Sequence, residues 1–409
     1  MPDADSAPRW KDVALTFLKL GATSYGGPAI MGIMQAELQE KRQWMSRERF
    51  VEGLALVNML PGATAAQLAI FLAYARGGWG GGLLGGLCFV LPAFAIMLAL
   101  TVAYASVGTL PIMRGALYGL GPVVVGIFVV AVYRLGRSAV STRAQAVIVV
   151  AAAVASALSP LGVAAILSLA GGMGILLFHS RKLGALILGS LAVVLAVSAL
   201  PWWSPVAGGA VAPGSAPPAG LLGLGAYFFK VGAFTVGGGL TMIAFIQDQV
   251  VNEFHWLTPE QFIGGLALGQ LTPGPILMLA AYVGYTMAGV AGATVAASAA
   301  FLPSFILMLA VLPVLDRVRA LTWTRAALKG MGPAVIGILA VSLFRLAPAA
   351  VPDLFAVAVL IATVLALMAW RVGALKLMLA GGVVGVLRSS WVPLPALKAA
   401  IRAGSWARG

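Results

Sequence analysis

Charged residues, cysteine and histidine are scarce in this sequence, and each shortage excludes a class of protein. Only 9% of the 409 residues are charged, whereas 61% are hydrophobic. A soluble domain needs far more charge to cover a water-facing surface, so most of this chain must be surrounded by lipid. The single cysteine, Cys88, excludes an internal disulfide.

The same shortages argue against an intramembrane enzyme. His179 and His255 lie in predicted loops and Cys88 lies in an apolar segment, so no nucleophile has a base beside it and no metal cluster can form. We therefore expect no catalytic residues, no metal site and no cofactor. The formal charge of +14 is spread over short loops, which indicates membrane topology and no nucleic-acid partner.

What the sequence does contain is a series of apolar stretches. They recur from about residue 12 to about residue 388, and each crossing of a bilayer needs roughly 20 residues. Runs such as AVIVVAAAVASALS are apolar on every face, which indicates helices, because the strands of a membrane barrel alternate in polarity. The sequence predicts an all-α polytopic membrane protein. The acidic start without a cleavage pattern predicts no removable signal peptide.

The chain repeats itself at a spacing of 211 or 212 residues, which predicts two homologous halves. Residues 1–200 form the first half and residues 222–409 the second, joined by a Pro/Gly-rich linker at 201–221. The matched pairs are FLKLGATSYGGP (17–28) with FFKVGAFTVGGG (228–239), NMLPG (58–62) with QLTPG (270–274), LPAF (91–94) with LPSF (302–305), and RGALYGLGPVVVGI (114–127) with RAALKGMGPAVIGI (325–338).

The positive charges predict that the repeat is inverted. Residues 37–49 carry four Lys or Arg, whereas the equivalent residues 248–261 carry none, so the two connectors should face opposite sides of the membrane. The other basic loops reach the cytoplasm if residues 50–75 turn back at Pro61 and Gly62, as two half-length helices. Residues 11–36 are interrupted by SYGGP and either re-enter or span the membrane as a broken helix. Five crossings then complete the first half.

These breaks are the predicted binding site. Backbone groups freed by Gly and Pro in a membrane survive where they line a polar cavity, and a half-helix that begins there presents a positive end to an anion. Close helix packing at Gly-Gly is the simpler alternative. The candidate residues at the breaks are Gly26, Gly27, Asn58, Pro61, Gly62 and Thr64 in the first half, and Gly237, Gly238, Gln270, Thr272, Pro273 and Gly274 in the second.

Lys19 and Lys230 complete the candidate set. They share one repeat position inside apolar helices, where a lysine costs roughly 2.5 to 3.5 kcal/mol on insertion scales. A cost repeated in both halves suggests that the two charges bind a dianion. The alternative is that each lysine snorkels to the interface.

Four acidic residues are candidates for proton coupling. The simpler interpretation is that they form ion pairs at the membrane interface. They are Glu37, Glu52, Asp248 and Glu253. The glycine-rich run at 77–86 can pack within one chain or between two copies, so a homodimer is an open alternative.

The paired glycine and proline motifs resemble the long, two-domain members of the chromate ion transporter family. The resemblance rests on the ordered set of GG breaks, the NMLPG and QLTPGP turns, and the GLGP and GMGP pairs at Gly119 and Gly330, and it covers nearly the whole chain. It implies a multi-pass protein of the bacterial inner membrane that exports chromate, with protons as the usual coupling ion and chromate resistance as the result.

The resemblance leaves alternatives open. Sulfate and chromate are both tetrahedral dianions of similar size, so the motifs do not separate a chromate carrier from a sulfate or other oxyanion carrier. A passive anion channel is a further alternative, although inverted repeats with broken helices are typical of secondary transporters. Such a transporter would work by alternating access of its two halves.

Overall fold

The computed structural model describes residues 10–25, 28–107, 110–159, 161–198, 220–236, 239–314, 322–370 and 372–391, and every regular element within these ranges is a helix. Four stretches are long and apolar enough to cross a membrane. They are Thr64–Ser106, Ile112–Ala139, Ile276–Val314 and Thr322–Ala350. The prediction of an all-α polytopic protein is confirmed. The predicted linker lies outside the described residues except for its last two, which belong to the helix that begins at Gly220.

The first half contains eight helices in the described residues. They are α1 (Trp10–Thr23), α2 (Pro28–Met34, continuing as a π-helix over Gln35–Lys41), α3 (Arg47–Val57), α4 (Thr64–Val107), α5 (Pro111–Ala139), α6 (Arg143–Leu158), α7 (Val163–Phe178) and α8 (Arg181–Ser198).

The second half repeats this order up to the equivalent of α7. Its helices are α9 (Gly220–Ala233), α10 (Leu240–Ile246, continuing as a π-helix over Gln247–Glu253), α11 (Pro259–Leu271), α12 (Leu279–Val311, preceded by a 3-10 turn over Ile276–Met278), α13 (Thr322–Ala350), α14 (Leu354–Met368) and α15 (Ala374–Trp391). The predicted breaks near Pro61 and Pro273 lie where α3 gives way to α4 and α11 to α12.

A further pair of breaks, which the sequence did not predict, lies inside α4 and α12. Gly78 and Gly289 have φ of +55° and +59°, values that favour glycine. In α4 the chain folds back there, because Ala73 lies against Gly81 and Gly85. The glycine-rich run therefore packs within its own chain, and the homodimer stays a prediction without support from this run.

The two halves are intertwined. Helix α5 of the first half packs against α14 and α15 of the second, and α13 of the second half packs against α6 and α7 of the first. Small residues allow the close approach: Gly119 meets the backbone of Gly381 and Gly385, and Gly330 meets that of Ala170 and Gly174. Neither half forms a separate globular unit.

Equivalent helices run antiparallel where they meet. The Leu309 side chain of α12 lies against Gly82 of α4, and Phe305 lies against Gly86. As residue numbers rise along one helix, they fall along its partner. Helices α5 and α13 show the same relation, since Ile336 lies near Gly136 and Ala139 near Gly332. Opposite directions at equivalent helices are what an inverted repeat requires.

The outer surface of the bundle is apolar. Leu222 is 87% exposed and Phe344 is 81% exposed, whereas fully buried side chains such as Phe17, Phe228 and Tyr282 fill the centre. A surface of this kind is stable in contact with lipid tails.

Candidate functional site

The two proline-glycine turns are the point where the halves interlock. The N–H of Gly62 in the first half donates a hydrogen bond to the carbonyl oxygen of Thr235 in the second, over 2.7 Å. The N–H of Gly274 in the second half donates to the carbonyl oxygen of Ser24 in the first, also over 2.7 Å. Each turn thus contacts the break in the first segment of the opposite half, and these four residues form the interlock between the halves.

Local sequence explains why the turns form. Thr258 caps α11 in a capping box with Gln261, and Ser46 accepts a hydrogen bond from the N–H of Arg49 at the start of α3. Each helix ends before its proline, and Gly62 and Gly274 then adopt φ of +127° and +96°. Side-chain-bearing residues rarely adopt these values, so glycine is required at both turns.

Several helix N-termini are brought close to this interlock. Helix α4 begins two residues after Gly62, and α10 begins at Leu240, five residues after Thr235. Gly239, which precedes α10, lies beside Ile276 at the start of the 3-10 turn before α12. The first N–H groups of a helix have no intrahelical partner and carry partial positive charge, so the region favours an anion.

Buried polar side chains surround the two turns. Thr64, Gln67 and Thr272 are all nearly inaccessible to solvent. Gln67 donates through Nε2 to the carbonyl oxygen of Pro61 over 2.7 Å, and the hydroxyl of Thr272 donates to the carbonyl oxygen of Leu268 over 2.8 Å. Oε1 of Gln67 and the hydroxyl of Ser24 have no hydrogen-bond partner among the described residues. These atoms can contact a bound polar solute.

The family model described as "Chromate transporter" matches residues 11–212 and again residues 222–386. The chain belongs to the chromate transporter family. Chromate transporters similar to it include the chromate transport protein of Cupriavidus metallidurans, 34% identical over 84% of this chain and 84% of that protein. The probable chromate transport protein of Synechococcus elongatus is 37% identical over 75% of this chain and 78% of that one. The chromate transport protein of Pseudomonas aeruginosa is 32% identical, with shares of 81% and 79%.

No solved structure matches this member of the chromate transporter family. The two family matches correspond to the two sets of helices described above, which identifies the repeat as two copies of the family's unit. Together with the long apolar helices, membership makes the chain a multi-pass membrane protein.

Six of the predicted site residues lie at the interlock. They are Pro61, Gly62, Thr64, Thr272, Pro273 and Gly274. Asn58 is exposed at the end of α3, where its amide donates to the carbonyl oxygen of Leu54, and Gln270 is half-buried at the equivalent position. Gly26, Gly27, Gly237 and Gly238 lie outside the described residues.

The two lysines lie apart from the buried turns. Lys19 and Lys230 are both exposed, on equivalent faces of α1 and α9. Leu15 and Ala226, each one helical turn before its lysine, are also exposed, Leu15 by 67%. Both lysines therefore face away from the bundle core, which fits the snorkelling alternative better than direct contact within the interlock.

Sequence reasoning missed Ser24, Gln67, Thr235 and Ser304 as parts of this region. The hydroxyl of Ser304 accepts a hydrogen bond from the N–H of Ala63 over 2.8 Å. The sequence does distinguish Ser304, because it is the one residue that differs between LPAF (91–94) and LPSF (302–305). Gln67 is likewise the only amide in the apolar first segment of α4.

Proposed function

We propose that this protein is a secondary transporter of a tetrahedral oxyanion, with chromate as the first candidate substrate, and that it exports chromate across the bacterial inner membrane. The observation that carries the proposal is the reciprocal interlock, in which Gly62 binds Thr235 and Gly274 binds Ser24. A site made by both halves at once changes whenever the halves move relative to each other. The names of the similar chromate transport proteins support the choice of cargo.

The binding site in this proposal is made of backbone N–H groups and hydroxyls. The N–H directly after each turn glycine is not available, because that of Ala63 is bonded to Ser304 and Pro275 has none. The next groups without a hydrogen-bond partner among the described residues are the N–H and hydroxyl of Thr64 in the first half and the N–H of Ile276 in the second. Fixed dipoles of this kind replace the water around an anion without adding full charges.

Lys19 and Lys230 have a longer-range role in this proposal. They lie on exposed faces, so they attract the dianion toward the interlock and do not form its inner contacts. Because α1 and α9 are equivalent in the two halves, one lysine attracts the anion from one side of the membrane and the other lysine from the opposite side.

Alternating access of two inverted halves completes the proposal. The antiparallel contact of α4 with α12, and of α5 with α13, supports the inversion. Proton coupling comes from the family resemblance. Of the acidic candidates, Glu37 and Glu52 are paired with Arg42 and Arg49, and Asp248 is paired with Arg345. Glu253 has no ion pair among the described residues, so it is the first acid to test for proton coupling.

Uptake of radiolabelled chromate into everted membrane vesicles tests the function. Vesicles that contain the protein should accumulate chromate when energised, and excess sulfate should leave most of the uptake in place. Uptake abolished by sulfate would indicate a general oxyanion carrier. No uptake above vesicles without the protein would contradict the proposed function.

A further inference from the structure

The two proline-glycine turns are equivalent in sequence but are not held equally. Each turn glycine has one side chain of the opposite half directly against it: Ser304 against Gly62, and Ala93 against Gly274. Ser304 and Ala93 occupy the same position of the repeat, 211 residues apart. Both are fully buried. The two contacts therefore differ by a single hydroxyl group at one matched place.

The turn residue that faces Ser304 or Ala93 also differs between the two halves. The residue after Gly62 is Ala63, whose N–H donates to the Ser304 hydroxyl over 2.8 Å. The residue after Gly274 is Pro275, which has no N–H to donate. Serine thus stands where a buried donor needs an acceptor, and alanine stands where no donor exists. Neither turn leaves this backbone position with an unpaired N–H.

A second bond strengthens the same turn. The Gln67 amide donates to the carbonyl oxygen of Pro61 over 2.7 Å in a fully buried setting. Among the described residues, no side chain donates to the carbonyl oxygen of Pro273 in the second turn. The first turn is therefore fixed by two hydrogen bonds that the second turn lacks.

We infer that Ser304 is a positioning residue that makes the first-turn contact the stronger of the two and so biases the resting protein toward one access state. The inference rests on the proposed function, because it assumes that the two halves move during transport. In inverted halves, equivalent contacts open toward opposite sides of the membrane. Unequal contacts then give unequal populations of the two states.

Thiol labelling of single-cysteine proteins tests this inference without any substrate. Cys88 is the chain's only cysteine, so Cys88→Ala gives a cysteine-free background. Met59→Cys reports on the first turn and Leu271→Cys on the second, because these half-buried residues occupy equivalent positions just before the turns. The ratio of the two labelling rates with a maleimide measures which contact is open.

Ser304→Ala should raise the labelling rate at Met59→Cys relative to Leu271→Cys by about tenfold, since it leaves the buried N–H of Ala63 unpaired. The reciprocal double variant Ala93→Ser/Pro275→Ala gives the second turn the missing bond and should raise the same ratio, because it strengthens the competing contact. Combining all three substitutions should raise the ratio further, because the second contact then has the bond that the first has lost.

Opposite changes at the two reporters distinguish positioning from simple loss of stability, since Met59→Cys should label faster and Leu271→Cys more slowly. A protein that merely loosens would label faster at both reporters, and that result would overturn the inference, as would an unchanged ratio. The outcome is separate from the proposed function. Shifted ratios in a protein that fails to transport any oxyanion would leave the unequal contacts standing and remove the transport proposal.

Discussion

Arg134 in the first half caps a helix of the second half: its Nη2 donates to the carbonyl oxygen of Leu367 over 2.9 Å, in the last turn of α14. Its repeat equivalent, Arg345, donates to the carbonyl oxygen of Ser156 near the end of α6, also over 2.9 Å. A cation at a helix C-terminus is favourable because the last carbonyl groups lack intrahelical partners. These two arginines therefore join the two halves.

Replacing Arg134 should destabilise the protein without touching the candidate site. Arg134→Gln removes a charged hydrogen bond between the halves and should lower the free energy of unfolding by about 1 kcal/mol. Thermal unfolding in detergent measures the change. Arg137→Gln is the matched control, since Arg137 is exposed on the same helix and has no hydrogen-bond or ion-pair partner among the described residues. Equal melting temperatures for the two variants would contradict the capping role.

The contact between α7 and α13 should tolerate no side chain at Gly330. A Cβ there would collide with the backbone of Ala170 and Gly174, so Gly330→Val should force the helices apart and reduce the yield of monodisperse protein on size-exclusion chromatography. Gly189→Val on α8 is the control, because a Cβ at Gly189 meets nothing within 4 Å. A normal yield of the Gly330→Val protein would show that the halves do not interlock there.

Removing the charge of either candidate lysine should slow transport. We expect Lys19→Gln and Lys230→Gln each to reduce chromate uptake about tenfold, which is at the lower end of the effect that electrostatic attraction has on association rates. Uptake is normalised to the amount of protein in the membrane. Lys182→Gln provides the control, because Lys182 is an exposed lysine at the start of α8. Unchanged uptake in both site variants would remove the lysines from the proposal and leave the turns.

Low pH should weaken the ion pair between Glu37 and Arg42 at the π-helix that continues α2. The Arg42 guanidinium, 3.0 Å from the Glu37 carboxylate, lowers the pKa of Glu37 below its ordinary value. The charged form is therefore favoured in the folded state, and the stabilisation is present above the ordinary pKa and lost as the pH falls through the lowered one. Melting temperatures measured down to that range should fall more for the wild type than for Glu37→Gln.

Glu40→Gln is the control for this pH effect. Glu40 lies on the same π-helix and has no ion-pair partner among the described residues. Its variant should follow the wild type over the whole pH range. A Glu37→Gln protein that follows the wild type equally closely would contradict the stabilising role of the Glu37–Arg42 pair.

The sequence alone was sufficient to predict the helical membrane fold, the repeat and the breaks at Pro61 and Pro273. These features are local, because apolar length, matched motifs and proline geometry each act within a short stretch. Which break would contact which was not predictable, since the hydrogen bond from Gly62 to Thr235 depends on how two distant segments pack. The intertwining of α5 with α14 and α15 was missed for the same reason.

The candidate lysines illustrate the limit of reading burial from an apolar pattern. Lys19 lies in an almost wholly apolar helix, which suggested a buried charge. The described structure instead has it exposed, because the outer face of a membrane helix is as apolar as its inner face and the pattern does not distinguish them. Single polar residues in apolar segments, such as Gln67 and Ser304, were a better guide than the lysines to the side chains that lie at the turns.

Trans-stimulated exchange in proteoliposomes tests the central claim most directly. Purified protein is reconstituted, the vesicles are loaded with unlabelled chromate, and entry of labelled chromate is followed without any ion gradient. A carrier with one oxyanion site shared by two moving halves should show entry that is faster with chromate inside than without it. Entry that is independent of internal chromate would indicate a channel and contradict alternating access at the interlocked turns.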